Sequence, residues 1–83
     1  MINAPVVAMH NKKALEKATI CGCYHCVTIF DPKNIVEWTD NDDTALCPHC
    51  SVDCVIPSTS ENHMTIEYLE GLRNYWLKPP KSL

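Results

Sequence analysis

The sequence predicts a small α+β domain, a short antiparallel β-ribbon closed by two cysteine turns with a helix on either side. Three observations carry that expectation. The chain has 83 residues, enough for one small domain. Five of its six cysteines sit in two short stretches, "CGCYHC" at 21–26 and "CPHC" at 47–50. Near each end, a stretch with helical apolar spacing brackets short runs of strand-like composition.

Size sets the first constraint. A chain this short buries only about 60% of the surface its unfolded form exposes, so its core is marginal. A covalent or metal staple is expected. The hydrophobic content of 46% is that of a folded domain. No apolar run approaches the ~18 residues of a membrane span. The opening "MINAPVVAMH" has too short an apolar stretch, and no basic residue ahead of it, for a secretory signal. The expected compartment is the cytoplasm, where thiols stay reduced.

The elements follow in order. Residues 1–10 are expected to be a flexible leader, residues 11–78 the domain, and residues 79–83 a tail. "NKKALEKAT", Asn11 to Thr19, predicts a helix capped by Asn11, with Ala14, Leu15 and Ala18 as its apolar stripe. "VTIF", Val27 to Phe30, predicts a strand leaving the first cysteine turn. "DPK" turns the chain. "IVEWT", Ile35 to Thr39, alternates, with Ile35, Glu37 and Thr39 opposite Val36 and Trp38. "DNDD", Asp40 to Asp43, is a polar turn. "TAL" enters the second cysteine turn, "VDCVI" leaves it, and "PSTSEN" is a loop. A second helix is predicted from Thr65 to Leu77. Ile66, Tyr68, Leu69, Leu72, Tyr75, Trp76 and Leu77 fall on one broad face of it, with Arg73 an odd charge inside that arc.

Cys23-Tyr24-His25-Cys26 and Cys47-Pro48-His49-Cys50 are separated by 20 residues. Two Cys-x-x-Cys pairs at this separation have the spacing of a zinc ribbon. Each turn brings two sulfurs to one point, and two turns supply four thiolates in a tetrahedron. The expected cofactor is one structural Zn²⁺ on Cys23, Cys26, Cys47 and Cys50. Four protein ligands close the coordination shell, whereas a catalytic zinc keeps a position open. A redox dithiol would instead need a βαβ pattern that 83 residues do not contain.

Other groups compete for a place in that set. Cys21, two residues before Cys23, is the alternative first ligand. Cys54 lies in an apolar run and reads as a small buried hydrophobe. His25 and His49 hold matching positions inside the two turns. Side chains there point away from the metal, so both are expected to be exposed or to support the ligands from outside.

The stretches "CGCYHC", "IFDPKNIVEWTDNDDTALCPHCSVDCVI" and "MTIEYLEGLRNYW" together resemble a family of small bacterial zinc-ribbon "cytoplasmic proteins". The shared pattern is a CGC-aromatic-x-C turn, F-x-P-x-x-I-x-x-W, T-A-x-C-P-x-C and a final helix ending in Y-W. It covers about Lys12 to Trp76. Members resemble immunity proteins of polymorphic toxin systems, so the resemblance implies a protein that binds one toxin domain. The chain departs from the pattern at Ser51, commonly Gly, and at Cys54, commonly Ser.

Charge separates the function classes. The formal net charge is −3, and four thiolates on a divalent cation take it to −5. Between Asp31 and Glu70 stand nine acids, Glu61 among them, against the single base Lys33. The other basic residues flank this stretch, from Lys12, Lys13 and Lys17 before it to Arg73, Lys78 and Lys81 near the end. Nucleic-acid binders need a basic face, so the ribbon has the wrong sign, and a nucleic-acid-associated or regulatory ribbon is the alternative reading. A redox sensor using Cys21 and Cys54 is a third. No small-molecule substrate, membrane or catalysis is expected. The histidines are scattered, and so small a domain has little room for a pocket of ~300 Å³. The expected partner is a protein, a basic toxin domain met by Glu37, Asp40, Asp42 and Asp43, with Tyr68 and Tyr75 as anchors.

Overall fold

The computed structural model describes residues 2–59 and 63–77. Among them are three α-helices, a 3-10 turn and five short strands, a small α+β arrangement of the zinc-ribbon kind. The tail 79–83, with Lys78, Glu61 and the end of the "PSTSEN" loop, lies outside the described residues.

The expected leader is corrected first. α1 (Ala4–Val7) forms inside it and packs on the last helix. Pro5 presets a helical φ in the first turn, and the Asn3 side chain accepts from the Val6 N–H. Ala4 and Ala8, four residues apart on one face, are both buried.

α2 (Lys12–Lys17) falls within the predicted Asn11–Thr19. Leu15 is buried and Ala18 half-buried, but Ala14 is exposed, so the apolar stripe is narrower than expected. Asn11 makes no side-chain cap bond. Its amide is buried and serves the sheets instead. Nδ2 donates to the Val55 carbonyl at 2.7 Å, and Oδ1 accepts from the Ala45 N–H at 3.5 Å.

β1 (Cys21–Cys23), β2 (Thr28–Phe30) and β5 (Val55–Pro57) form an antiparallel sheet in the order β2-β1-β5. The CGC step, expected as the approach to the first turn, is the central strand. Alternation puts Cys21 and Cys23 on one face and Gly22 on the other. A Cβ at Gly22 would stand 2.7 Å from Met64 Sδ and 2.8 Å from Leu69 Cδ1. The glycine is what admits α3 (Ile66–Trp76) onto the sheet. Pro57 lies on an edge strand, where its missing N–H is tolerated.

Of "IVEWT" only β3 (Trp38–Thr39) pairs, with β4 (Thr44–Ala45). Ahead of it Pro32–Asn34 form a 3-10 turn capped by Asp31, whose side chain accepts from the Lys33 N–H at 2.9 Å. Ile35 is buried as the turn ends and Val36 is 77% exposed. Trp38 is half-buried, so the inward positions are three apart rather than two. The acidic turn is left-handed: Asp40, Asn41 and Asp42 have φ of 54°, 61° and 63°. The Asp43 N–H closes it onto the Thr39 carbonyl at 3.0 Å. Asp and Asn are the non-glycine residues that best tolerate this region.

α3 matches the prediction within a residue at each end. Thr65 is its N-cap, accepting from the Tyr68 N–H at 3.0 Å, and Leu77 its C-cap. Leu69 and Leu72 are fully buried; Ile66, Tyr75 and Leu77 are exposed.

The two glycines should respond oppositely to alanine. Leu69 is fully buried and would stand 2.8 Å from the added Cβ, so Gly22→Ala overpacks the helix–sheet contact and should cost about 1–3 kcal/mol. Gly71 has nothing within 4 Å of its Cβ position. Gly71→Ala should stabilise by about 0.5–1 kcal/mol, because glycine inside a helix is entropically costly. Denaturant unfolding of the metal-saturated protein measures both.

Candidate metal centre

The first knuckle joins the end of β1 to the start of β2, and the second follows β4. Tyr24 N–H donates to the Cys54 carbonyl at 3.1 Å, and Cys47 N–H to the Val52 carbonyl at 3.0 Å. The first bond ties the first knuckle to the strand that leaves the second, and the other closes the second knuckle on itself. The Sγ atoms of Cys23, Cys26, Cys47 and Cys50 all lie within 4.8 Å of one another, a group that could hold one metal ion. Cys23 to Cys50 and Cys26 to Cys47 are each 3.7 Å. Metal–sulfur bonds of about 2.3 Å in a tetrahedron give an edge of about 3.8 Å. A disulfide would be about 2.05 Å, and all six cysteines are free.

Both knuckles show the same backbone device. Hydrogen bonds from the His25 and Cys26 N–H groups reach the Cys23 sulfur. The His49 N–H lies 3.3 Å from Cys47 Sγ, and the Val52 N–H reaches Cys50. The residue after each second cysteine is left-handed, Val27 at φ 55° and Ser51 at 65°. The Ser51 N–H then closes the turn onto the Cys47 carbonyl at 2.8 Å. A left-handed backbone at position 51 is one that glycine adopts without strain.

Burial drives the Cys23 thiol far up from its ordinary range, against the pull of the Cys26 and His25 N–H groups. It also pushes Cys50 up to about 11, the Val52 N–H opposing. Cys26 is pushed up by burial too, but the Thr28 hydroxyl and the neighbouring sulfurs outweigh this, and its net shift is downward. A cation entering the site competes with protons for these sulfurs.

The competing groups fall outside the set. Cys21 Sγ lies 3.4 Å from the Phe30 carbonyl and donates to it. Burial, then the Asp31 charge, push its thiol up to about 12. Strand rise sets it about 6.6 Å along from Cys23, which removes it as an alternative ligand. Cys54 is buried as expected, and it bonds the Tyr24 hydroxyl. His49 is exposed, its ring 5.6 Å from that of Phe30. His25 is half-buried, and its backbone carbonyl accepts from Arg73 Nη1.

Glu37, Asp40 and Asp42 are exposed around the β3–β4 hairpin. Asp43 is half-committed, its carboxylate 3.0 Å from His10 Nδ1. Tyr68 is half-buried, while Tyr75 is 64% exposed and edge-on to Trp76 at 4.9 Å. The hairpin and the tyrosines belong to different elements, the first leaning on α2 through the Lys12 N–H to Asp43 carbonyl bond. One expectation is overturned: the domain does have room for a pocket. An open cleft of about 510 Å³ runs between α2 and the 3-10 turn, floored by Leu15, Ala18, Pro32 and Trp38 and rimmed by Glu16, Asp31 and Lys33.

Among the described residues no helix is long and apolar enough to cross a membrane. No family model, curated protein or solved structure matches the chain.

The four-sulfur assignment makes distinct demands on single variants. Elemental analysis should find one metal ion per wild-type chain, almost none in Cys26→Ser, and undiminished metal in Cys21→Ala and Cys54→Ala. Retention of a full equivalent by Cys26→Ser would contradict the assignment. Ser51→Gly should stabilise the metal-loaded fold by roughly 0.5–1 kcal/mol, since the residue is exposed and only its left-handed backbone is relieved.

Proposed function

We propose that the protein is a non-enzymatic, zinc-stabilised binding module of the cytoplasm that neutralises a basic toxin domain by covering its active cleft. Zinc is the ion that best suits four thiolates at tetrahedral spacing. The single observation that carries the binding role is the exposed acidic hairpin. Asp40, Asn41 and Asp42 form a left-handed turn held at both ends by backbone hydrogen bonds, so its carboxylates project from a fixed loop. A fixed negative loop on a scaffold with net charge −3 is suited to steering a positive partner. The resemblance to immunity proteins supports the same reading. Tyr75 supplies an exposed aromatic for a second contact.

The arrangement of the basic residues weighs against nucleic acid. Lys12 is half-buried with Nζ 5.3 Å over the Trp38 ring, leaving Lys13 and Lys17 as the exposed bases of α2. The burial and raised pKa of Cys21 and Cys54 weigh against a redox sensor.

The test begins with the product of the reading frame adjoining this one, expressed as an inactive toxin domain. Association with the zinc-loaded protein should be fast at low salt and slow as salt rises. Asp40→Asn, Asp42→Asn and Asp43→Asn together should cut the association rate about tenfold at low salt, and Tyr75→Ala should speed dissociation. Equal rates for wild type and triple variant at every salt concentration would remove the hairpin from the interface. Fluorescence anisotropy with mixed DNA and RNA probes should show no binding at physiological salt. Micromolar affinity there would favour the nucleic-acid reading.

A further inference from the structure

Arg73 is the charge that interrupts the apolar arc of α3, one turn after Leu69 and one before Trp76. Its side chain explains the interruption. The guanidinium donates to the backbone carbonyl of His25, inside the first knuckle and 48 residues away in sequence. The peptide unit it reaches is the His25–Cys26 unit. The N–H at the other end of that unit is the Cys26 N–H, which bonds the Cys23 sulfur. A continuous path therefore runs from guanidinium to carbonyl, through one peptide group, to a ligand atom. Hydrogen bonds in such a chain polarise one another, so a cation on the carbonyl strengthens the N–H as a donor to sulfur. Cys23 is the ligand with the greatest need of that support, being completely buried.

We infer that Arg73 is a positioning residue for the metal centre, orienting the His25–Cys26 peptide and offsetting the charge of the thiolates. A divalent ion held by four thiolates carries −2, and in a marginal domain a nearby guanidinium lowers the cost of gathering that charge. The guanidinium stays in contact with solvent, bordering a groove with Val27, Glu70 and Asn74, and needs no burial of its own charge. The same bond ties the last turn of α3 to the knuckle. Tyr75 and Trp76 stand two and three residues after Arg73, so the metal centre also fixes the aromatic end of the helix.

This inference rests on the metal reading, and the experiment separates the two. Cadmium-113 is loaded into wild type, Arg73→Gln, Arg73→Lys and Glu67→Gly. Affinity is read by chelator competition and ligand environment by the cadmium resonance. Glu67 is exposed and two turns away, so its glycine variant weakens the helix without touching the knuckle. Arg73→Gln should bind at least tenfold more weakly, the scale of losing a group that supports a ligand, and should shift the resonance. Arg73→Lys should restore most of the affinity, and Glu67→Gly should leave the resonance in place. An Arg73→Gln affinity within twofold of wild type would overturn the role. So would a loss matched by Glu67→Gly with neither resonance moved. A wild type that takes no cadmium would overturn the metal reading and this inference with it.

Discussion

Four sulfur atoms within 4.8 Å of one another are the constraint on which the rest of the fold depends. Three of them belong to residues whose thiols have shifted pKa values, upward at Cys23 and Cys50 and downward at Cys26. Thiolates gathered this closely repel, and thiols gathered this closely gain little. A cation at their centre turns the repulsion into the strongest attraction in the domain. Apparent zinc binding in finger peptides, about 10–16 kcal/mol, is comparable with the total stability of an ordinary domain.

The remaining architecture serves that point from several directions. β1 delivers Cys23 on one face and, through Gly22, receives α3 on the other. Asn11 joins the two sheets by bonding Ala45 and Val55, which stand in the strands before and after the second knuckle. Arg73 returns from α3 to the first knuckle. α2, through the Asn11 that precedes it, and α3, through Arg73, thus each send one polar side chain back towards the strands and turns that carry the site. The hydrophobic core is correspondingly modest, with Leu15, Ile56, Leu69 and Leu72 among its largest fully buried members.

What the sequence made legible was what local spacing encodes. The four-cysteine cluster, the two knuckles, the α3 boundaries and the polar turn follow from repeats and caps, and the structure brings those four sulfurs together. What it concealed depends on distant partners. Asn11 has the residue type and position of an N-cap, and only the approach of β4 and β5 gives its amide a better use. Gly22 reads as a gap between cysteines until a helix is laid across it. The N-terminal segment looks like a leader because Ala4 and Ala8 are too small to signal burial on their own. "IVEWT" alternates in composition, but the 3-10 turn at Pro32 delivers it out of phase with the hairpin. The left-handed positions Val27 and Ser51 carry no glycine, the residue that would have signalled such a backbone in the sequence. The cleft beside Trp38 had no local signal, since its walls come from three separate stretches.

In the proposed function a closed thiol shell has a structural part, and what it stabilises is a binding surface. The central claim is that one zinc ion sits among Cys23, Cys26, Cys47 and Cys50 and that no other group completes its shell. X-ray absorption at the zinc edge of the purified protein tests it most directly. The account predicts a single shell of four sulfur neighbours at about 2.3 Å. A shell containing the nitrogen of His25 or His49, or the oxygen of a bound water, would contradict it.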